Sequence, residues 1–361
     1  MRVALVLLGA LVVSQSALAQ DNLVTTRSII TGVQARGYSI DNGPKTRQVA
    51  FPIALVMPVN QRLSIDVGAY YASTRSEPFG DAATTVSGLT DTQVRGSYVF
   101  GRDAVVATLM LNLPTGKTQS LAQSSTTGAA AANFLSFPVN VYRTGFSATG
   151  GLAAATELGS WNVGIAGSLR MSGEYQPFSD DSARYSPGTE GRIKIGVDRT
   201  LGSSRLSAGF TFSTFGNDEF KNLGGGSGQY QPGNRYIGEL AMAFLAGSGT
   251  VTGYVWDYYR NKAGGSGSAA NKENIISIGA NGSWPIGSNM RLEPLAEARF
   301  WSPEEGSGKM FGIGTSLQIP VGGKFTLSPA GRFDFGSTDF TDGVKHNLTG
   351  WGFSALLRYD L

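Results

Sequence analysis

From Trp351 to Leu361 the chain alternates. Trp351, Phe353, Ala355, Leu357, Tyr359 and Leu361 are apolar, with Gly352, Ser354, Leu356, Arg358 and Asp360 between them. An extended strand has a side-chain period of two, so one face collects the apolar set and the other most of the polar groups. Similar runs recur upstream. Leu206, Ala208, Phe210 and Phe212 alternate with Ser207, Gly209, Thr211 and Ser213, and Val105, Ala107, Leu109, Leu111 and Leu113 share one face. Strands of this kind carry two unlike surfaces, one suited to hydrocarbon and one to water.

Turn chemistry divides the runs. Tight Gly, Asn and Ser pairs stand at Asn60-Gln61, Gly101-Arg102, Gly159-Ser160, Gly202-Ser203, Gly247-Ser248, Gly287-Ser288 and Gly322-Gly323, as short hairpins require. Longer polar connections fall between them at 41–46, 75–89, 118–141, 177–188, 217–233, 263–272, 302–308 and 337–346. Short and long connections alternate, the pattern of periplasmic turns and extracellular loops. The expectation is an all-β, antiparallel, up-and-down transmembrane β-barrel of about 16 strands, or about 14 if a weak hairpin is miscounted.

The N-terminus and the composition agree with that address. A basic start at Met1 and Arg2, an apolar run over 3–13 and the small-x-small Ala17-Leu18-Ala19 read as a signal peptide over 1–19, leaving 20–361 as the barrel. The apolar run is shorter than the about 20 residues of a spanning helix. Fifty glycines and no cysteine leave strand pairing, rather than a disulfide framework, to hold the fold. A net charge of +3 is too small to argue for nucleic acid. The location expected is the outer membrane of a diderm, Gram-negative cell.

A midplane Arg or Lys facing lipid costs about 2 to 4 kcal/mol, so charges inside the strands are assigned to the lumen: Arg95, Arg170, Arg192, Lys194, Asp198, Glu239, Arg291, Glu293, Glu297, Arg299, Arg332 and Asp334. They form either a selectivity ring or a mutually satisfied network, the latter favoured because Arg291, Glu293, Glu297 and Arg299 mix signs on one strand. About 16 strands enclose a passage, whereas about 8 are filled by their own side chains. The long connection after the fifth strand, 118–141, is the candidate constriction. Its small, uncharged Gln119, Ser120, Gln123, Ser124 and Ser125 would narrow the lumen if it folds inward; otherwise it is a surface loop.

Catalysis is not expected. His346, the single histidine, falls in a loop, so a histidine-based hydrolase site lacks its base in the wall. No cofactor or metal is expected. Gly224-Gly225-Gly226-Ser227-Gly228 lacks the ending of a phosphate loop and reads as a linker.

One hairpin resembles a known family. Gly88-Leu89-Thr90-Asp91, followed by a strand ending in Leu113-Pro114-Thr115-Gly116, is similar to a hairpin of outer-membrane proteins of the "MetA-pathway of phenol degradation" family, themselves similar to FadL-type channels for hydrophobic compounds. The resemblance implies passive uptake of small hydrophobic or aromatic molecules. Too few residues precede the first strand for the N-terminal hatch of the fatty-acid channels. The alternatives are a general diffusion porin and a structural or adhesive barrel acting through its loops. Partners expected are membrane lipid and lipopolysaccharide, a small solute, and the barrel assembly machinery through the C-terminal strand, although Leu361 stands where Phe or Trp is usual.

Overall fold

A computed structural model describes residues 26–78, 82–101, 105–223, 226–264, 272–287, 289–339 and 344–361; the signal-peptide reading lies outside them. The strands, in chain order, are β1 (Ser28–Ile40), β2 (Lys45–Pro58), β3 (Leu63–Glu77), β4 (Thr84–Leu89), β5 (Thr92–Phe100), β6 (Val105–Leu113), β7 (Ser147–Leu158), β8 (Trp161–Ser172), β9 (Arg184–Ser186) and β10 (Glu190–Leu201). There follow β11 (Ser204–Phe215), β12 (Asp218–Leu223), β13 (Gly226–Tyr230), β14 (Arg235–Ala246), β15 (Gly249–Arg260), β16 (Glu273–Ile286), β17 (Met290–Pro303), β18 (Ser307–Val321), β19 (Phe325–Asp339) and β20 (Lys345–Asp360). Each wall strand pairs antiparallel with its sequence neighbours. The ring closes where β1 meets β20, from Ser28 opposite Asp360 to Ile40 opposite Leu348.

With β4 and β5 counted as two pieces of one strand along β3, and β9, β12 and β13 forming a separate small sheet, the wall has sixteen strands. The fold is that of an outer-membrane β-barrel. The two faces are sorted by the alternation. Leu109, Ile165, Ile193, Phe210, Leu240, Ile278, Ile313, Phe333 and Phe353 are exposed on the outside, while Gln48, Thr74, Ser277, Arg299 and Asp334 are buried within.

Glycine fits this wall for two reasons. At the tight turns it takes the left-handed conformation, as at Gly159 (φ 62°) and Gly202 (φ 60°), which suits a hairpin and penalises other residues. Within strands it leaves room for an aromatic ring on the neighbouring strand. A Cβ at Gly37 would press into the Trp351 indole, and one at Gly279 into the Tyr254 ring.

The connections differ from the sequence expectation at one end. Two of the longer ones shrink to residues 41–44 and 304–306, because β1, β2, β17 and β18 continue beyond the apolar belt. Likewise β4 occupies the second half of the stretch read as a loop over 75–89, and β9, β12 and β13 lie inside stretches read as loops. Above the belt both faces of a strand meet water, so the hydrophobic alternation that marks a strand is lost.

Candidate functional site

The connection between β6 and β7, residues 114–146, is rooted by one buried carboxylate. Asp91 interrupts the fourth strand. Its Oδ1 accepts the Gly116 N–H at 2.9 Å, and its Oδ2 accepts the Thr144 N–H at 2.7 Å and the Asn112 Nδ2 at 2.8 Å. The Asp91 N–H donates to the Tyr142 carbonyl at 2.9 Å. Both ends of the connection thus converge on Asp91, and a Cβ at Gly116 would collide with the Tyr142 carbonyl. Gly88-Leu89-Thr90-Asp91 and Leu113-Pro114-Thr115-Gly116 are therefore the two sides of a clamp.

Beyond the clamp, the candidates Gln119 and Ser120 lead into a short 3-10 turn (Leu121–Gln123) that ends in the candidate Gln123 and runs into α1 (Ser124–Ala130). Gln119 bridges to Phe178 in the next loop. The Ser120 N–H is capped by Gln123 Oε1 at 2.9 Å, and Gln123 Nε2 donates to the Thr85 carbonyl at 2.7 Å. Ser124 and Ser125 open α1. This segment stays beside β4.

The segment that reaches the far wall is 133–142. Asn133 Nδ2 donates to Glu273 Oε2 on β16 at 3.1 Å, and Arg299 on β17 donates to the Phe134 carbonyl at 2.7 Å. Arg36 on β1 donates to the Ser136 carbonyl at 2.8 Å. Gln48 on β2 pairs with the Val139 backbone, and Tyr142 Oη lies 2.7 Å from Thr74 Oγ1 on β3. All these partners are on the inward face, so the segment runs inside the ring of strands. Its rings pack there as well: Phe134 stacks on Trp301 at 5.5 Å, and Phe137 meets Tyr38 edge-on at 5.4 Å. Tyr258, Ile275, Met310 and Leu348 complete a buried cluster edged by the half-buried Leu135, Ile237, Trp256 and Trp301.

Four of the candidate charges join Arg36 against this segment. Glu297 accepts from Arg299 at 2.7 Å and Arg332 at 2.8 Å; Asp334 accepts from Arg332 at 2.6 Å and lies 3.4 Å from Arg36. The intervening strands carry glycine where the charges cross. A Cβ at Gly312 would strike Arg332 and Asp334, and one at Gly350 would strike the Tyr38 ring. Three guanidiniums face two carboxylates, and Arg36 Nη1 and Arg299 Nη1 each also donate to a loop carbonyl, those of Ser136 and Phe134. A guanidinium offers five donors in a rigid fork, so it can hold a carboxylate and a peptide together.

The other candidates line the rest of the inward face. Arg170 lies 4.0 Å from Glu190, Arg192 donates to Glu190 at 2.6 Å, and Lys194 pairs with Glu239 at 3.0 Å. Nearer the tight turns, Arg95 pairs with Asp66, and Asp198 accepts from Arg205 at 3.2 Å. Arg291 donates to Ser283 at 3.0 Å, and Glu293 accepts from Ser316 at 2.9 Å.

Two further loops meet above. Tyr185 stacks on Phe220 at 4.6 Å, which stacks on Tyr230 at 5.8 Å, and Tyr175 meets Tyr185 edge-on at 5.6 Å. Asp218 accepts from the Tyr185 hydroxyl and from the Gly188 N–H at 2.6 Å. Burial pushes the Tyr175 hydroxyl up to about 12, with the Asp91 carboxylate adding to the effect. Burial, then the hydrogen bonds to Asp218 and Tyr230, push Tyr185 up as well.

Sequence reasoning missed Asn133, Phe134, Ser136, Phe137, Val139 and Tyr142, and with them Arg36, Gln48 and Trp301. The one local signal was the apolar Phe134-Leu135-Ser136-Phe137 inside a stretch otherwise small and polar.

The barrel and its inward segment define a transmembrane β-barrel whose lumen is crossed by its own chain. No family model matches the sequence, and no curated protein matches it. Among solved structures it is similar to outer-membrane expressed OmpT of Vibrio cholerae, at 11% identity over 92% of this chain and 97% of that one, with a TM-score of 0.41. It is similar to an anion-selective porin from Comamonas acidovorans at 12% identity, covering 93% and 99% of the two chains, TM-score 0.42. It is also similar to the COG4313 outer membrane channel from Pseudomonas putida F1 at 15% identity, over 66% of this chain and 91% of that one, TM-score 0.42.

Proposed function

We propose that this protein is a passive outer-membrane channel for small solutes that favours apolar or aromatic ones. On this reading residues 1–19 direct export, β20 is the strand presented to the assembly machinery, and the longer connections face outward. The observation that carries the proposal is the amphipathic lining beside the inward segment. Leu135, Ile237, Trp256 and Trp301 stay half-buried at the edge of the apolar cluster, while Arg170, Glu190, Arg192, Lys194 and Glu239 line the inward face of β8, β10 and β14. A planar solute can shed water on the first surface without leaving a hydrated path. The Asp91 clamp gives a physical reason for the residues of the hairpin that resembles the phenol-degradation family.

A general diffusion porin is the second reading, favoured by the charged half of the lining alone. Uptake of phenol-sized aromatics and of neutral sugars into proteoliposomes, measured beside single-channel conductance, separates the two. Leu135→Asp with Trp256→Ala is expected to slow aromatic uptake several-fold and to leave sugar flux and conductance unchanged. Equal effects on both solutes would favour the porin.

A further inference from the structure

We propose that the outside of the barrel at the loop end of β1, β2, β3 and β20 binds the phosphorylated head group of lipopolysaccharide; this rests on the reading that the loop end faces outward. Lys45 and Arg47 are exposed on the outward face of β2, and Arg47 stands directly opposite Arg75 of β3. Like charges directly opposite on antiparallel strands repel. Arg75 donates to Glu77 at 3.0 Å, and Glu77 also stands opposite Lys45, whereas Arg47 has no carboxylate within ion-pair distance among the described residues. An anion beside Arg47 removes the repulsion.

The neighbouring strand makes room for that anion. On β1 the outward residues in register with Lys45 and Arg47 are Ser39 and Gly37, and beyond them β20 presents Thr349 and Trp351. The Trp351 indole covers Gly37, and the small Ser39 beside it leaves a groove lined by Tyr38, Ser39, Lys45, Arg47, Thr349 and Trp351. Its cations and hydroxyls match a phosphate carried on a sugar. Toward the membrane the same faces continue as Val49, Phe51 and Phe353, all exposed, a track for acyl chains. A ligand that uses both halves is a lipid with a phosphorylated sugar head group, since a soluble anion would leave the track empty.

The test uses the full barrel in phosphatidylcholine vesicles with lipid A, with lipid A retained per barrel after purification as the readout. Lys45→Gln with Arg47→Gln is expected to lower retention about tenfold or more, since each surface cation strengthens attraction to anionic lipid. Lys309→Gln, on the outward face of β18, is expected to retain lipid A as the parent does. Equal retention by the double variant and the parent would overturn the site, as would equal retention of dephosphorylated lipid A. Displacement by inorganic phosphate alone would reduce it to an ion site, and displacement by phosphatidylglycerol at equal concentration to a general anionic-lipid contact; both contradict the proposal. Antibody access to a tag after Ser227 on intact cells tests the orientation separately, so a failure of topology is distinguishable from a failure of the groove.

Discussion

The Gln48 side chain and the Val139 peptide unit are joined by two hydrogen bonds, Nε2 to the Val139 carbonyl at 2.6 Å and the Val139 N–H to Oε1 at 2.7 Å. The side-chain amide takes the place of a neighbouring strand. Its remaining proton goes to Thr74 Oγ1 at 2.8 Å, so this buried glutamine is fully used. Gln48→Leu leaves a buried N–H and carbonyl without partners, each costing about 1 to 3 kcal/mol. The expected outcome is a barrel that still folds but whose 133–142 segment is cut by protease and whose current is noisier in a planar bilayer. A quiet trace with an intact segment would show that the aromatic packing alone holds it.

Arg299 joins wall to segment through charge. Removing one partner of a buried ion pair leaves the other charge uncompensated and costs about 3 to 5 kcal/mol. Arg299→Met should lower the unfolding midpoint clearly, while Arg299→Met with Glu297→Gln should recover part of the loss. Arg332 would then have Asp334 alone as its carboxylate, at 2.6 Å. Denaturant unfolding of the three proteins in one lipid checks this; a double variant no more stable than Arg299→Met would refute the coupling.

The register makes a sharper test on β6. Leu109 is 54% exposed on the outside, and its neighbour Thr108 faces the lumen beside Ser97. Leu109→Arg is expected to lose about 2 to 4 kcal/mol of folding free energy in bilayers and Thr108→Arg much less. Equal folding yields would contradict the assignment of faces.

High pH should loosen the loop aromatics before the wall. Tyr175 is neutral in the fold, with its pKa raised to about 12 from an ordinary 10. Its contribution is therefore complete below pH 10 and lost as pH rises through about 12, because the unfolded loop ionises first. Tyrosinate absorbance should show a late-titrating component that Tyr175→Phe diminishes. Unchanged titration in that variant would remove Tyr175 from the effect.

Which parts of this arrangement could be read in advance depended on how local their cause was. Arg332 and Asp334 were assignable to the lumen because they alternate with Phe333 and Phe335, which are exposed. The role of Phe134 was not, since its partners Arg299 and Trp301 lie more than 160 residues away and an apolar run in a loop is equally compatible with a surface position. Gly312 and Gly350 looked like ordinary strand glycines. Their function, making space for charges to meet across a strand, exists only once β17 to β20 and β1 are side by side.

The sequence by itself determined the wall. A period of two sorts lipid-facing from water-facing residues, and the tight-turn pairs, with glycine in all but Asn60-Gln61, set where the strands reverse, because both effects act within a few residues. Only the tertiary structure decided what fills the wall. The course of 133–142 depends on closing the ring so that β1, β2, β16 and β17 surround one space, and on the buried donors of Arg36, Gln48 and Arg299 finding main-chain acceptors there. Those requirements are non-local: an unsatisfied guanidinium on one strand leaves no mark on the residues of a distant loop until the barrel brings them within hydrogen-bonding distance.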